Sequence, residues 1–136
     1  MGHKQMMVGA ILVVEDEPLI LLDVETALQE SGFEVVTAHN AAEAIAAFDA
    51  EPERFKGLIT DIRLGAGKSG WDVARHLRQT NSTLPVIYVS ADSAVHWGAE
   101  GVPGSVMIAK PFALPQIITA LSTLLNAQPH APEASN

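Results

Sequence analysis

The sequence predicts a doubly wound α/β fold, in which helices cover both faces of a five-stranded parallel sheet. Two observations support this prediction. Five short runs of mostly apolar or β-branched residues have the composition of buried strands. They alternate with longer stretches that show helical spacing, which is typical of βα units. A domain of this size built from such units is expected to be flavodoxin-like, with the strand order 2-1-3-4-5 and five helices.

The predicted strands and the first helix follow from composition and from start and stop signals. The strands are Ala10–Val14, Glu34–Ala38, Leu58–Thr60, Val86–Ser90 and Val106–Ala109. Between the first two strands, Pro18 suits the first position of a helix and Gly32 its end. Four apolar residues of this stretch fall broadly on one face of a helix: Leu19, Leu22, Ala27 and Leu28.

Capping signals predict the second and third helices. Asn40 with Glu43 three residues later resembles a capping pair, and Ser69 with Asp72 offers a similar signal. We expect a helix to begin after each cap.

The last two helices differ in the strength of their signals. The fourth, around residues 94–100, is weakened by Gly98 and by Gly101 just beyond it. The fifth begins at Pro115, and its apolar residues follow the i, i+3, i+4, i+7 pattern: Leu114, Ile117, Ile118, Leu121 and Leu125.

Length and composition indicate one domain, and the absence of cysteine fits a reducing compartment. The chain has 136 residues, which we divide into an N-terminal extension (1–9), a folded domain (10–126) and a disordered tail (127–136). Cysteine is absent, which excludes disulfides and thiolate metal sites. No stretch has the length of a membrane span, and the apolar residues before position 15 lead to no cleavage site. We expect a cytoplasmic protein without membrane contacts.

The charge of the chain restricts its partners. Sixteen acidic residues against eight basic ones give a formal net charge of −8. This balance disfavours binding to nucleic acid and favours cationic partners and metal ions.

Polar and charged side chains follow four of the five predicted strands. Glu15 and Asp16 follow the first strand, Asp61 follows the third, Ser90 ends the fourth, and Lys110 follows the fifth. In a parallel sheet these ends share one edge, so the side chains should meet in a single crevice. Clustered carboxylates need a counter-charge, and Mg²⁺ with oxygen ligands is the usual one. Such a site suits phosphoryl transfer to an aspartate, with lysine and hydroxyl groups contacting phosphoryl oxygens.

Competing interpretations of the loop after Asp61 and of the acidic strand end are weaker. Gly67-Lys68-Ser69 supplies the end of a P-loop motif, but the first glycine of that motif is replaced by Ile62. A flavin phosphate would be repelled by the acidic residues after the first strand. A phosphatase with Asp16 as nucleophile would lack the loops that usually select substrates.

The chain resembles response-regulator receiver domains of two-component systems. The resemblance covers about residues 10–125 and rests on ILVVEDEP at 11–18, LITD ending at 61, VIYVSA at 86–91 and AKPF at 109–112. Members of this family receive a phosphoryl group from a histidine kinase or a histidine phosphotransferase. The resemblance implies a phosphoacceptor that loads and releases its own phosphoryl group, rather than a turnover enzyme.

The resemblance also implies a role for each strand-end residue. Asp61 would be the phosphoacceptor, and Mg²⁺ would contact Glu15, Asp16, Asp61 and the backbone carbonyl of Arg63. Ser90 would supply the hydroxyl that moves toward the phosphate. Lys110 would bind the phosphate, and its bond to Pro111 would be cis. 

Three departures from the family pattern affect these expectations. Glu15 stands where aspartate is commoner, and the loop after Asp61 lacks Met-Pro and is about one residue longer. Met107 replaces the usual aromatic switch residue, so it either acts as a flexible apolar switch or the output uses another route.

We therefore expect a stand-alone receiver whose effector is a separate protein. A homodimer through the fourth helix, fifth strand and fifth helix is a further prediction. The alternative is a docking or adaptor receiver that works without phosphorylation.

Overall fold

The computed structural model describes residues 9–91 and 94–127, and it shows the predicted flavodoxin-like fold. Five strands form one parallel sheet in the order β2-β1-β3-β4-β5. The strands are β1 Ala10–Val14, β2 Glu34–Ala38, β3 Phe55–Asp61, β4 Val86–Ser90 and β5 Val106–Ala109. The helices are α1 Pro18–Glu30, α2 Ala41–Ala50, α3 Gly70–Thr80, α4 Ala94–Glu100 and α5 Leu114–Asn126. A short 3₁₀ helix, Pro52–Arg54, precedes β3.

Both predicted capping signals are confirmed. The Asn40 side chain accepts a hydrogen bond from the Glu43 N–H at 2.8 Å. Ser69 and Asp72 form a reciprocal capping box at the start of α3. These caps fix where α2 and α3 begin.

Two details of the sequence prediction were wrong. β3 begins three residues earlier than the apolar run indicated, because buried Phe55 and Gly57 extend it across half-exposed Lys56. On α1 the buried face consists of Leu21, Val24 and Leu28. Two of the residues assigned to one helical face point outward instead: Leu19 is 77% exposed and Leu22 is 55% exposed.

The sheet separates two hydrophobic layers. One layer packs α2 and α3 against side chains such as Leu58 and Tyr88, and the other packs α1 and α5 against side chains such as Ile59 and Ile87. Because successive strand residues face opposite sides, both faces of the sheet are buried, which is why these strands are apolar runs. The carboxyl ends of the strands are thereby held in fixed positions.

Parts of the predicted domain division lie outside the described residues. The N-terminal extension is described only at residue 9 and the tail only at residue 127. Across the described ranges, no helix has the length and apolar character needed to cross a membrane.

Candidate functional site

The structure brings the strand-end residues together at the carboxyl edge of the sheet. Glu15 directly follows β1, Asp61 and Ser90 end β3 and β4, and Lys110 directly follows β5. These four side chains are buried or nearly so. A crevice of about 260 Å³ opens at this edge, and it is lined by Asp16, Glu17, Asp61, Arg63, Ser90, Ala91 and Lys110.

Lys110 lies between two carboxylates. Its Nζ is 3.1 Å from Asp61 Oδ2 and 3.3 Å from Glu15 Oε1. Burial alone would lower the pKa of the Lys110 ammonium, but the hydrogen bond to Asp61 and the charges of both carboxylates raise it overall. Its own N–H donates to the Ser90 carbonyl at 2.9 Å, and the Lys110–Pro111 bond is cis as expected. The ammonium group therefore stays charged beside the predicted phosphoacceptor.

The site contains three clustered carboxylates, and the Lys110 ammonium group pairs with two of them. Burial, and then the charge of Asp61, raise the pKa of Glu15 from 4.5 to about 7, although Lys110 and the Glu17 N–H oppose the shift. Glu15, Asp16 and Asp61 each place one carboxylate oxygen within 4.8 Å of the others. This donor set fits a hard divalent cation, because such an ion supplies the missing positive charge and prefers oxygen ligands.

The raised pKa of Glu15 predicts how stability depends on pH when metal is removed. The folded protein binds this proton more tightly than the unfolded chain, so stability falls as pH rises from about 4.5 to about 7. In EDTA, we expect this carboxyl to lower the free energy of unfolding by about 2 kcal/mol between about pH 5.5 and about pH 7.5. Urea unfolding at both pH values measures it.

The matched control is Glu15→Gln, which cannot titrate. The variant should lose this part of the pH dependence. Equal pH dependence in the variant and the unmodified protein would contradict the assignment.

The backbone of Asp61 is fixed by a contact that the sequence analysis missed. The Gly70 N–H donates to the Ile62 carbonyl at 2.8 Å, so the first residue of α3 folds back onto the end of β3. A Cβ at position 70 would overlap the carbonyl oxygen of Asp61. Gly65 and Gly67 have φ values of +82° and +96°, conformations that glycine adopts readily. The long loop thus returns to Asp61 with only glycine fitting where it closes.

The remaining site predictions fall in different places. Ser69 caps α3, and Lys68 lines a separate groove beside α2, so the P-loop interpretation gains no support. Met107 lies on β5 in register with Tyr88, half-buried against the α2 and α3 layer. Its role as a switch stays a prediction.

Comparisons with known proteins agree on one family. The chain matches the family described as "Response regulator receiver domain" over residues 11–122. A crystal structure of a response regulator receiver protein from Sinorhizobium medicae WSM419 is 39% identical with a TM-score of 0.85, and the match covers 88% of this chain and 96% of that one.

Two curated relatives are longer than this chain. The probable transcriptional regulatory protein TcrX of Mycobacterium tuberculosis is 35% identical over 117 residues, which cover 85% of this chain and 49% of the relative. The phyllosphere-induced regulator PhyR of Methylorubrum extorquens is 32% identical over 126 residues, which cover 92% of this chain and 46% of the relative. The chain spans about half the length of the curated relatives it matches.

Proposed function

The chain belongs to the family of response regulator receiver domains, and we propose that it accepts a phosphoryl group on the carboxylate of Asp61. The observation that carries the proposal is the position of this carboxylate. It ends β3 inside the crevice, with Lys110 Nζ at 3.1 Å and a second acidic side chain, Glu15, sharing the same ammonium group. An aspartate held in this way is an oxygen nucleophile beside a fixed positive charge.

The proposed reaction transfers a phosphoryl group from a phosphohistidine. A carboxylate oxygen of Asp61 forms a bond to phosphorus, the nitrogen–phosphorus bond breaks, and the imidazole nitrogen keeps the electron pair. Lys110 neutralises negative charge on the phosphoryl oxygens. Ser90, the last residue of β4, offers its hydroxyl to another phosphoryl oxygen. Water later cleaves the acyl phosphate, so the protein loads and unloads its own group and is not a turnover enzyme.

Mg²⁺ is the cofactor that the acidic cluster fits. Glu15, Asp16 and Asp61 would hold it with their carboxylates, and Arg63 would add its backbone carbonyl. When bound, the ion neutralises the carboxylates and the phosphoryl oxygens during transfer. Glu15 is buried and its pKa is raised to about 7, which supports a site adapted to an added cation.

The partners we propose are proteins. A histidine kinase or phosphotransferase would dock beside the crevice, where Leu19 and Leu22 of α1 are exposed. A groove of about 680 Å³ shares Glu17, Ala91 and Lys110 with the crevice, and its lining includes the apolar side chains Ile20, Phe112 and Leu114. Apolar side chains around a reactive group are typical of a protein docking surface. The net charge of −8 disfavours direct binding to nucleic acid.

The output is proposed to pass to a separate effector protein. A homodimer through α4, β5 and α5 also stays a prediction. It is supported by the near absence of acidic and basic residues there, since Glu100 alone carries a charge and it pairs with Arg75 at 3.1 Å. In an acidic molecule such a face is the one that another copy approaches with the least repulsion.

Acetyl phosphate with Mg²⁺ tests the proposed function directly. Intact mass should show an adduct of about 80 Da that hydroxylamine removes, because an acyl phosphate is labile to that nucleophile. EDTA should suppress it. A protein that binds Mg²⁺ but forms no adduct would instead be a docking module that works without phosphorylation.

A further inference from the structure

A chain of hydrogen bonds joins α4 to the middle of β4. The Trp97 indole Nε1–H donates to Ser105 Oγ at 2.9 Å, and the Ser105 hydroxyl donates to the Val102 carbonyl at 2.6 Å. On the other side of the same residue, the Val102 N–H donates to the Tyr88 hydroxyl at 3.1 Å. Val102, in the connection between α4 and β5, is therefore held at its N–H by Tyr88 of β4. Its carbonyl is held by Ser105, which is in turn contacted by Trp97 of α4.

The β4 end of this chain is firmly packed. Tyr88 is fully buried, and its ring lies 4.6 Å from that of Trp71 on α3. It precedes Ser90 by two residues on the same strand and therefore faces the same side of the sheet. A shift of the strand end that carries Ser90 would therefore reach Val102, because a fully packed side chain has no room to absorb it.

The α4 end is weakly held. Trp97 is 38% exposed, and a hydrogen bond to Ser105 fixes its N–H. Gly101 lies under the indole ring, where a Cβ would overlap it. One such hydrogen bond contributes about 1 kcal/mol net, so its loss would remove little of the free energy that holds the indole in place.

Met107 cannot provide a comparable signal. It pairs with Tyr88 in the sheet, and its thioether has no N–H or O–H to donate. Among the described residues of α4, β5 and their connection, His96 and Trp97 are the aromatic side chains with a polar hydrogen, and the Trp97 N–H is the one that donates to Ser105.

We propose that Trp97, rather than Met107, is the switch residue of this receiver. In the unphosphorylated protein the indole rests on Ser105. When Ser90 engages the phosphoryl group, the movement reaches Val102 through Tyr88, and the indole swings out as a contact for a protein partner. The inference rests on phosphorylation at Asp61. A tryptophan released in this way is the kind of anchor that buries deeply in a partner's apolar pocket.

Fluorine NMR of protein labelled with 5-fluorotryptophan tests the inference. The chain has two tryptophans, and Trp97→Phe assigns the resonances. With acetyl phosphate and Mg²⁺, the Trp97 resonance should move toward its solvent-exposed position, while Trp71, which is buried against Tyr88, should stay shielded from solvent. Collisional quenching by acrylamide should rise roughly twofold for Trp97, because its exposure starts at 38%.

Intact mass on the same samples separates the two proposals. An adduct on the protein with an unmoved Trp97 would overturn the inference and leave the proposed function standing. Absence of an adduct would overturn both.

Substitutions at Ser105 provide an independent check. Ser105→Ala removes the acceptor, so Trp97 should occupy the released position without phosphate, while adduct formation is retained. Ser105→Thr keeps a hydroxyl group and should restore the resting position. An indole that stays in place in the alanine variant would show that the hydrogen bond to Ser105 does not hold it, which contradicts the inference.

Discussion

Asp61→Asn is expected to abolish the phosphate adduct completely. The carboxamide is isosteric with the carboxylate, but its oxygen is a poor nucleophile, so no acyl phosphate forms. Intact mass after incubation with acetyl phosphate and Mg²⁺ measures the result. Asp49→Asn is the matched control, because Asp49 lies exposed on α2, where it pairs with His76, and its loss should leave the adduct unchanged. An adduct that survives in Asp61→Asn would place the phosphorylation elsewhere.

The same variant has a second, independent consequence. The charge of Asp61 contributes to the raised pKa of Glu15, so its removal should lower that pKa toward the ordinary value. Carbon-13 NMR of the side-chain carboxyl, recorded without metal across the pH range, reports this directly. A pKa that falls but stays above 4.5 would show that burial still acts on Glu15, so the variant keeps the site folded and loss of the adduct reflects lost chemistry.

Gly70→Ala is expected to reduce the rate of adduct formation by one to two orders of magnitude. The added Cβ would overlap the Asp61 carbonyl oxygen, so either β3 or the start of α3 must move. Misplacing a reacting group by about 1 Å can cost roughly a hundredfold in rate. Overpacking should also destabilise the fold by about 1–3 kcal/mol. The rate is measured by time-resolved intact mass and the stability by urea unfolding.

Gly98→Ala is the control for this exchange. Gly98 lies within α4 with nothing near the position of an added Cβ, so alanine should stabilise the helix slightly and leave the rate unchanged. Because Gly70→Ala also weakens the fold, the rates of adduct formation are compared at a temperature well below the unfolding transition of the variant. A normal rate in folded Gly70→Ala protein would show that this close contact does not position the phosphoacceptor.

The predictions that depended on chain-local signals succeeded for physical reasons. Buried strands of a parallel sheet must be apolar on both faces, so the strands could be predicted from the sequence. The first N–H groups of a helix need hydrogen-bond acceptors, so the caps at Asn40 and Ser69 could be predicted as well. The outward position of Leu19 and Leu22 could not be predicted from the sequence, because a helix with apolar residues on several faces can turn any of those faces toward the sheet. Packing against the sheet and α5 selected Leu21, Val24 and Leu28 as the buried face.

The sequence by itself determined the fold class and the residue types at the strand ends, and therefore the family and the expected phosphoacceptor. Only the tertiary structure decided how those residues interact. Lys110 is shared between Asp61 and Glu15, Gly70 lies close to Asp61, and hydrogen bonds link Tyr88 to Trp97. Each of these contacts joins residues on different elements of the fold. Hydrophobic periodicity reports which side of an element is buried, but contacts of this kind depend on the distances between elements, which only packing sets.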